Sequence, residues 1–362
     1  MAEEVWMLQT KKADFKQIGA RFRIDPVTAR IIRNRGIKGE AAIDRYLNGT
    51  LDDLYDPMLL KDMERAVSIL CEAVDTGKKI RIVGDYDIDG VCSTYILLQA
   101  FERLGSDVDF EIPDRIKDGY GINESIIEQA HADGVEVILT CDNGISAFHQ
   151  VELAKKYGMT VVITDHHEVP LDGEKEKIPP ADAVIDPKQA DCPYPFPEIC
   201  GAVVAYKLVQ VLYARRGVPQ MEWLDLLEFA AIATVGDVMK LQDENRILVK
   251  YGLKKMAQTK NLGLRRLAEK NNLDLGAITA YHIGFVIGPC LNAGGRLKTA
   301  KEALALLRAQ SEEEAERLAE ELKELNDTRK DMTEQGTEAA KLQVESWYQK
   351  DKVLVVFLPE CH

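Results

Sequence analysis

The residues best suited to chemistry are acids placed directly after apolar runs. Ile80, Ile82 and Val83 belong to a run that stops at Gly84, and Asp85, Asp87 and Asp89 follow at alternate positions. The run reads as a buried parallel strand, and Gly90 opens a helical pattern from Val91 to Leu104. Three carboxylates on one strand-to-helix turn repel one another, and each resists ionising alone. Bound metal relieves that repulsion, and oxygen ligands suit Mn2+ or Mg2+. An acidic, solvated loop capping a helix would read the same way.

The pattern recurs further along. Residues 135–140 (VEVILT) run into Cys141, Asp142, Asn143 and Gly144, and residues 160–164 (TVVIT) run into Asp165, His166 and His167. A fourth candidate is Asp237, at the end of an apolar helical segment, ATVGDV at 233–238. Each has a structural reading when taken singly: a turn, a strand-end histidine pair, a helix-end cap. Together they stand at equivalent positions, and an open α/β sheet binds ligands in the crevice outside the carboxyl ends of its strands. Acids with one or two histidines and no thiolate select hard or borderline cations over structural zinc. A P-loop is excluded, because no GxxxxGK[ST] occurs.

The elements that must position these groups follow from periodicity. Strand-like runs at 79–83, 108–112, 135–140, 160–164 and 182–185 alternate with helical patterns near 91–104, 124–132 and 145–157. That alternation predicts an α/β fold with a doubly wound, mostly parallel sheet and right-handed crossovers. Ahead of it lies a helical layer, in which Asp25 and Pro26 form an N-cap and first-turn pair. Residues 61–76 carry an i, i+3, i+4 apolar stripe of Met63, Ala66, Val67, Leu70, Ala73 and Val74. Helices are expected at 201–216 and 222–235, then a mostly helical stretch at 244–308 broken by glycines at 284–295. Residues 311–346 form a long polar helix whose thin stripe is Ala315, Leu318, Leu322, Leu325, Met332 and Ala339. Lys352 to Leu358 reads as a fresh strand. The expected domains are an N-terminal helical segment at 1–55, a catalytic domain at 56–240 and a helical, glycine-loop extension at 241–310. A connecting helix at 311–346 and the start of a second α/β domain at 347–362 complete them, so the chain is expected to stop inside that domain.

Composition bounds the function. A chain of 362 residues with 46% hydrophobic and 29% charged content suits about two globular domains. A formal net charge of -14 argues against sequence-blind coating of nucleic acid, though not against an enzyme that grips phosphate through metals. Seven scattered cysteines without a CxxC pair point to a reducing compartment. No apolar leader occurs in Met1 to Lys12 and no stretch approaches a membrane span, so a cytoplasmic protein with no membrane partner is expected.

At this point the motifs carry a resemblance. GDYDIDG (84–90), TCDNG (140–144), TDHH (164–167) and ATVGDV (233–238) resemble, in order and spacing, the four motifs of the DHH phosphoesterase superfamily. The finer resemblance is to the RecJ-type single-strand-specific exonucleases. It rests on IPDRIKDGYGIN (112–123), DPKQADCPYPF (186–196), ICGAVVAYKL (199–208) and GPCLNAGGRL (288–297), and runs from about residue 24 to the end. Two positions depart from the family pattern: Cys290, commonly basic, and Val83, where related phosphoesterases place a metal-binding histidine that Asp85 would replace here.

The resemblance implies two divalent cations, Mn2+ or Mg2+. Asp85 and Asp87 would hold one, Asp89, His166 and Asp237 the other, and Asp142 would bridge them. His167 would reach the scissile phosphate, and Asp165 would orient a histidine by accepting its N–H. Asn292 and Arg296 would hold a substrate phosphate, with Arg115 and Tyr120 as further substrate candidates. The implied activity is 5′→3′ hydrolysis of single-stranded DNA in repair and recombination, with a single-strand-binding protein or helicase as candidate partner. Two alternatives are a DHH phosphodiesterase for short oligonucleotides or cyclic dinucleotides, and a non-catalytic replication scaffold. Such scaffolds lose metal ligands, whereas every expected acid is intact here. The last domain is expected to be the truncated start of a DHH-associated domain.

Overall fold

The computed structural model describes residues 5, 7, 11–115, 119, 121–347 and 353–358. Helices α1 (Phe15–Phe22), α2 (Pro26–Asn34) and α3 (Glu40–Asn48) form the N-terminal layer. Asp25 caps α2, its carboxylate accepting the Val27 and Thr28 amides at 2.9 and 3.0 Å. Helix α4 (Met63–Asp75) then buries Met63, Ala66, Val67 and Leu70.

From Ile80 the chain alternates strand and helix: β1 (Ile80–Val83), α5 (Ile88–Arg103), β2 (Val108–Glu111), α6 (Glu124–Ala132), β3 (Val137–Cys141), α7 (Phe148–Lys156) and β4 (Thr160–Thr164). A small antiparallel hairpin, β5 (Leu171–Asp172) with β6 (Lys175–Glu176), precedes β7 (Ala183–Ile185). Five strands pair in the order β2-β1-β3-β4-β7, all parallel. Both faces are covered, as a parallel sheet requires. Ile80, Ile82, Val137, Leu139 and Val162 enter one core with α4 and α5, while Val83, Ile138, Val161 and Ile163 enter a second with α6 and α7. The two-residue period of a strand sends neighbours to opposite cores. Because β2 and β3 flank β1, the winding reverses between β1 and β3, which opens a crevice at their carboxyl ends.

The rest is helical: α8 (Gly201–Arg216), α9 (Gln220–Leu224), α10 (Leu227–Gly236), α11 (Asp243–Met256) and α12 (Leu262–Lys270). Then come α13 (Ala280–His282), a π-helical turn (Ile283–Ile287), α14 (Gly288–Leu297), α15 (Lys301–Arg308) and α16 (Glu312–Trp347). Four expectations need correction. Helix α5 starts at Ile88 rather than after Gly90, because Asp87 caps it. The expected 222–235 helix is two, and the turn between them lets Glu222 reach Arg103 while Asp225 meets Lys255. The glycine-rich stretch at 284–295 does not break the helix. A Cβ at Gly295 would lie 2.4 Å from the Tyr86 carbonyl, so glycine there serves close packing rather than a turn. Finally, Lys352 lies outside the described residues, and Val353 to Leu358 pair with no strand among them. A strand needs a neighbour's backbone to bond, and Val353, Val355 and Phe357 are instead exposed.

Helix α16 buries its stripe only over its first half. Ala315, Leu318 and Leu322 are buried, whereas Met332 is exposed. Among the described residues, no helix is long and apolar enough to cross a membrane.

One buried acid lies well away from the crevice. Glu228 of α10 accepts the Thr259 hydroxyl at 2.7 Å, and its other oxygen has no partner among the described residues. Burial pushes its pKa up to about 7 from the ordinary 4.5. The folded state thus keeps a proton that the unfolded chain releases earlier, so stability falls as pH rises from about 4.5 to about 7. Glu228→Gln keeps an acceptor for Thr259 and is expected to raise the melting temperature at pH 8, with little change at pH 5. A lower melting temperature at pH 8 would show that the ionised carboxylate is stabilising.

Candidate active site

Three strand ends, two helix starts and one helix end build the site. Asp87 caps α5, its Oδ1 accepting the Asp89 and Gly90 amides at 2.9 and 3.0 Å. This capping draws Asp89 into the first turn of α5. Helix α8 begins opposite, and its first amides point at Asp89: Gly201 donates to Oδ2 and Ala202 to Oδ1, both at 2.7 Å. A helix N-terminus presents free amides and partial positive charge, which hold a carboxylate in place. Position 201 must be glycine, since a Cβ there would sit 2.7 Å from that of Asp142.

Asp142 ends β3 with φ 60°, in the left-handed region that aspartate tolerates better than most residues. Beside it, the Asn143 side-chain Nδ2 donates to the carbonyls of Val83 and Cys141 at 3.0 and 2.9 Å, which ties the ends of β1 and β3 together. After β4, Asp165 is buried and accepts the Ile145 amide at 2.9 Å, the His166 amide at 2.7 Å and His167 Nδ1 at 2.7 Å. His166 Nε2 lies 3.0 Å from Asp142, 3.3 Å from Asp89 and 3.9 Å from Asp237. Asp237 sits at the C-cap of α10.

Two groups of possible ligands result. One ligand atom each from Asp85, Asp87 and Asp142 lies within 4.8 Å of the others, and the same holds for Asp89, His166 and Asp237. Asp142, His166 and His167 form an overlapping third group. Burial, reinforced by Asp87, pushes Asp85 up to about 7; burial, reinforced by Asp89 and Asp87, does the same to Asp237. Asp87 is raised by burial and Asp89, and Asp142 rises well above the carboxylate range for lack of water and the presence of four neighbouring acids. Burial holds the His166 imidazole below its usual value. Burial would also lower His167, but the bond to Asp165 wins and lifts it to about 9. Asp165 falls below the usual range despite its burial, because His167 donates to it. A set of crowded carboxylates and imidazoles, each costly to ionise alone, fits hard divalent cations.

The comparisons with known proteins bear on this arrangement. Residues 79–234 match the family described as DHH family, N-terminal domain. The single-stranded-DNA-specific exonuclease RecJ of Bacillus subtilis (strain 168) is 37% identical over 336 residues, covering 92% of this chain and 41% of that protein. RecJ of Escherichia coli (strain K12) is also 37% identical, over 324 residues, covering 86% of this chain and 54% of that one. The chain spans about half the length of the curated relatives it matches. RecJ in complex with Mn2+ from Thermus thermophilus is 30% identical, with TM-score 0.78 over 96% of this chain and 48% of that one. The crystal structure of exonuclease RecJ bound to manganese is 34% identical, with TM-score 0.73 over 84% of this chain and 74% of that one. The chain belongs to the RecJ-type DHH family.

The two departures from the RecJ-type pattern have local accommodations. Val83 is buried in the second core, and Asp85 brings a carboxylate to the crevice two residues later. Cys290 is buried, its Sγ 3.5 Å from the Asn326 amide of α16, where a basic side chain would have to displace that contact. Arg296 lies on α14 partly open to solvent, and its partial burial together with the charges of Arg329 and Arg115 holds its pKa down, with Asp87 opposing. Arg115 lies over the Tyr86 ring at 5.5 Å. Asn292 Oδ1 is buried without a partner among the described residues. Tyr120 lies outside the described residues.

Two residues at the site escaped the sequence reading. Asp186, directly after β7, is fully buried, and burial beside Asp165 pushes it up to about 7. It obeys the strand-end rule that marked Asp85, Asp142 and Asp165, so that rule applied to residues 182–185 would have found it. Arg329 could not be found that way. It lies in a polar stretch of α16, and only packing brings its charge beside Arg296.

Proposed function

We propose that the chain is the catalytic part of a metal-dependent phosphodiesterase that degrades single-stranded DNA in the 5′→3′ direction, in repair and recombination. The observation that carries this reading is the convergence of Asp85, Asp87 and Asp142, and of Asp89, His166 and Asp237, on one crevice at a sheet switch point. Asp142 is placed to serve both groups, 3.0 Å from His166 and within ligand range of Asp85 and Asp87. Bound there, a pair of Mn2+ or Mg2+ ions would supply the charge that polarises a phosphodiester and eases deprotonation of an attacking water. The protein's own groups do the rest. Asp165 fixes the His167 ring through Nδ1 and raises its pKa, which suits donation of a hydrogen bond to a phosphate oxygen. Asn292 and Arg296 orient the phosphate from the α14 side. The acids that a non-catalytic scaffold would dispense with are all present. A reducing cytoplasm accords with the free cysteines of the described residues. A single-strand-binding protein or a helicase is the class of partner that would present such a substrate.

The test is a cleavage assay on 5′- and 3′-labelled single strands, duplexes, and linear and cyclic dinucleotides, with and without Mn2+. Release of mononucleotides from the 5′ end of single strands, dependent on Mn2+, is expected. Metal-independent cleavage, or cleavage of cyclic dinucleotides alone, would overturn the reading. Within it, Arg296→Ala should raise KM for single strands by roughly 10- to 100-fold, the cost of a charged contact. Its melting temperature should barely move, because Arg296 makes no ion pair or side-chain hydrogen bond with a carboxylate among the described residues. A large stability loss with unchanged kinetics would make it a structural residue.

A further inference from the structure

The run from Ala280 to Leu297 is helical throughout, and it carries two kinds of group suited to a nucleic acid. Asn292 and Arg296 lie toward its C-terminal end. Tyr281 and Phe285 lie at the other, 64% and 67% exposed, their rings stacked with centroids 4.7 Å apart and planes at 27°. Burial does not require either ring, because Ile283 and Ile287 already fill the core side of this turn. A single exposed apolar residue is ordinary, but two stacked rings form a flat apolar patch in water. Phe285 sits on a π-helical turn and Tyr281 on the helical turn that leads into it, and such irregularities recur at functional sites. That turn packs against the end of α10: a Cβ at Gly284 would lie 3.7 Å from Val235, two residues before Asp237. The turn that carries Phe285 therefore lies beside the end of α10 that leads into Asp237, while Arg296, at the far end of the same run, feels the charge of Asp87.

We propose that Tyr281 and Phe285 are a stacking platform for the bases of the single strand whose phosphate is held at Asn292 and Arg296. The proposal rests on the functional reading above and extends it to a second contact zone. The occupant follows from chemistry and continuity. A net charge of -14 makes long-range attraction of a phosphate backbone weak, so grip on a strand must come from local contacts. Aromatic faces supply such contacts to any base, because every base has a π-face. Phe285 and Arg296 are eleven residues apart, about 16 Å along a helix at about 1.5 Å per residue. That distance spans about five nucleotides of a stacked strand at about 3.4 Å each, and fewer of a stretched one. The platform would thus meet bases a few nucleotides inside the cleaved end, which a dinucleotide cannot reach.

The experiment compares wild type with Tyr281→Ala/Phe285→Ala on two substrates. Affinity for a 5′-phosphorylated dodecamer, measured by fluorescence anisotropy in EDTA, should fall about 5- to 150-fold per lost stacked base. Mn2+-dependent cleavage of a dinucleotide should stay within about twofold, and the melting temperature should not change. Tyr281→Phe/Phe285→Trp should restore binding. With 2-aminopurine stepped along positions 2 to 6, wild type should quench the probe at an inner position, and the double alanine variant should not. Unchanged dodecamer affinity, or a loss shared equally by the dinucleotide, would overturn the platform. So would unchanged affinity with a shift in sedimentation, which would make the patch a protein contact. Failure of wild type to cleave either substrate would instead overturn the functional reading.

Discussion

Replacing Asp142 by asparagine is expected to abolish cleavage while raising the melting temperature of the metal-free protein. Both effects follow from one arrangement. Asp142 is 2% exposed, and burial with the charges of Asp89, Asp87, Asp165 and Asp85 opposes its ionisation. Removing the charge relieves that repulsion, so the fold gains stability when no cation is present. Asparagine also tolerates the φ of 60° at this position, where most side chains would be strained. Asp142 belongs to the ligand group of Asp85 and Asp87 and lies 3.0 Å from His166 of the other, so under the proposed bridging role its loss should disable both cation positions at once. Turnover with Mn2+ should fall by about 10³-fold or more, beyond the roughly 10- to 100-fold seen when only an outer partner of a ligand is lost. A second readout needs no turnover. Mn2+ should raise the melting temperature of wild type, since a ligand that binds only the folded state stabilises it, and should raise that of the variant far less. If the asparagine variant keeps near-normal activity and an undiminished Mn2+ response, the bridging assignment is wrong.

Lys207→Met should cost about 3–5 kcal/mol of stability, the size expected when one partner of a buried ion pair is removed. Lys207 and Glu244 pair at 3.1 Å with side chains only 1% and 0% exposed. Lys207 also donates to the Tyr55 carbonyl at 3.1 Å, and the Tyr194 hydroxyl donates to Glu244. Burial pulls the Lys207 pKa down, and Glu244 is what keeps the ammonium tolerable there. Methionine in its place would leave Glu244 buried opposite an apolar side chain. The double change Lys207→Met/Glu244→Leu should recover most of the loss, because a well-packed apolar pair can match a buried ion pair. Denaturant unfolding of the three proteins measures this directly. A single variant as stable as wild type would mean that water reaches Glu244. The pair matters to the site as well, because Lys207 anchors the helix whose first amides hold Asp89.

The strand ends at Asp85, Asp142 and Asp165 were legible in the sequence because each follows a short, predominantly apolar, β-branched run. In a parallel sheet such runs are buried on both faces, and their carboxyl ends all open on one edge. The motif order and the strand–helix alternation therefore sufficed to anticipate the family, the sheet and the acid cluster. Element ends were less legible. Nothing in GDYDIDG says that Asp87 caps the helix, yet that capping moves Asp89 into the first turn and into reach of Gly201 and Ala202. The glycines at 284–295 were misleading for a related reason. Glycine marks either a turn or a close approach, and only the position of the Tyr86 carbonyl decides between them at Gly295. Arg329 and the Tyr281–Phe285 pair needed the tertiary structure altogether. The side chains that determine what each of them does lie far away in sequence or depend on which face of a helix is left in water. What the sequence determined by itself was the chemistry available at each strand end, because residue type and local periodicity are properties of short segments. Which groups share a cation, how their charges shift one another and which aromatic rings remain exposed were decided by packing, because distance and burial are properties of the folded chain alone.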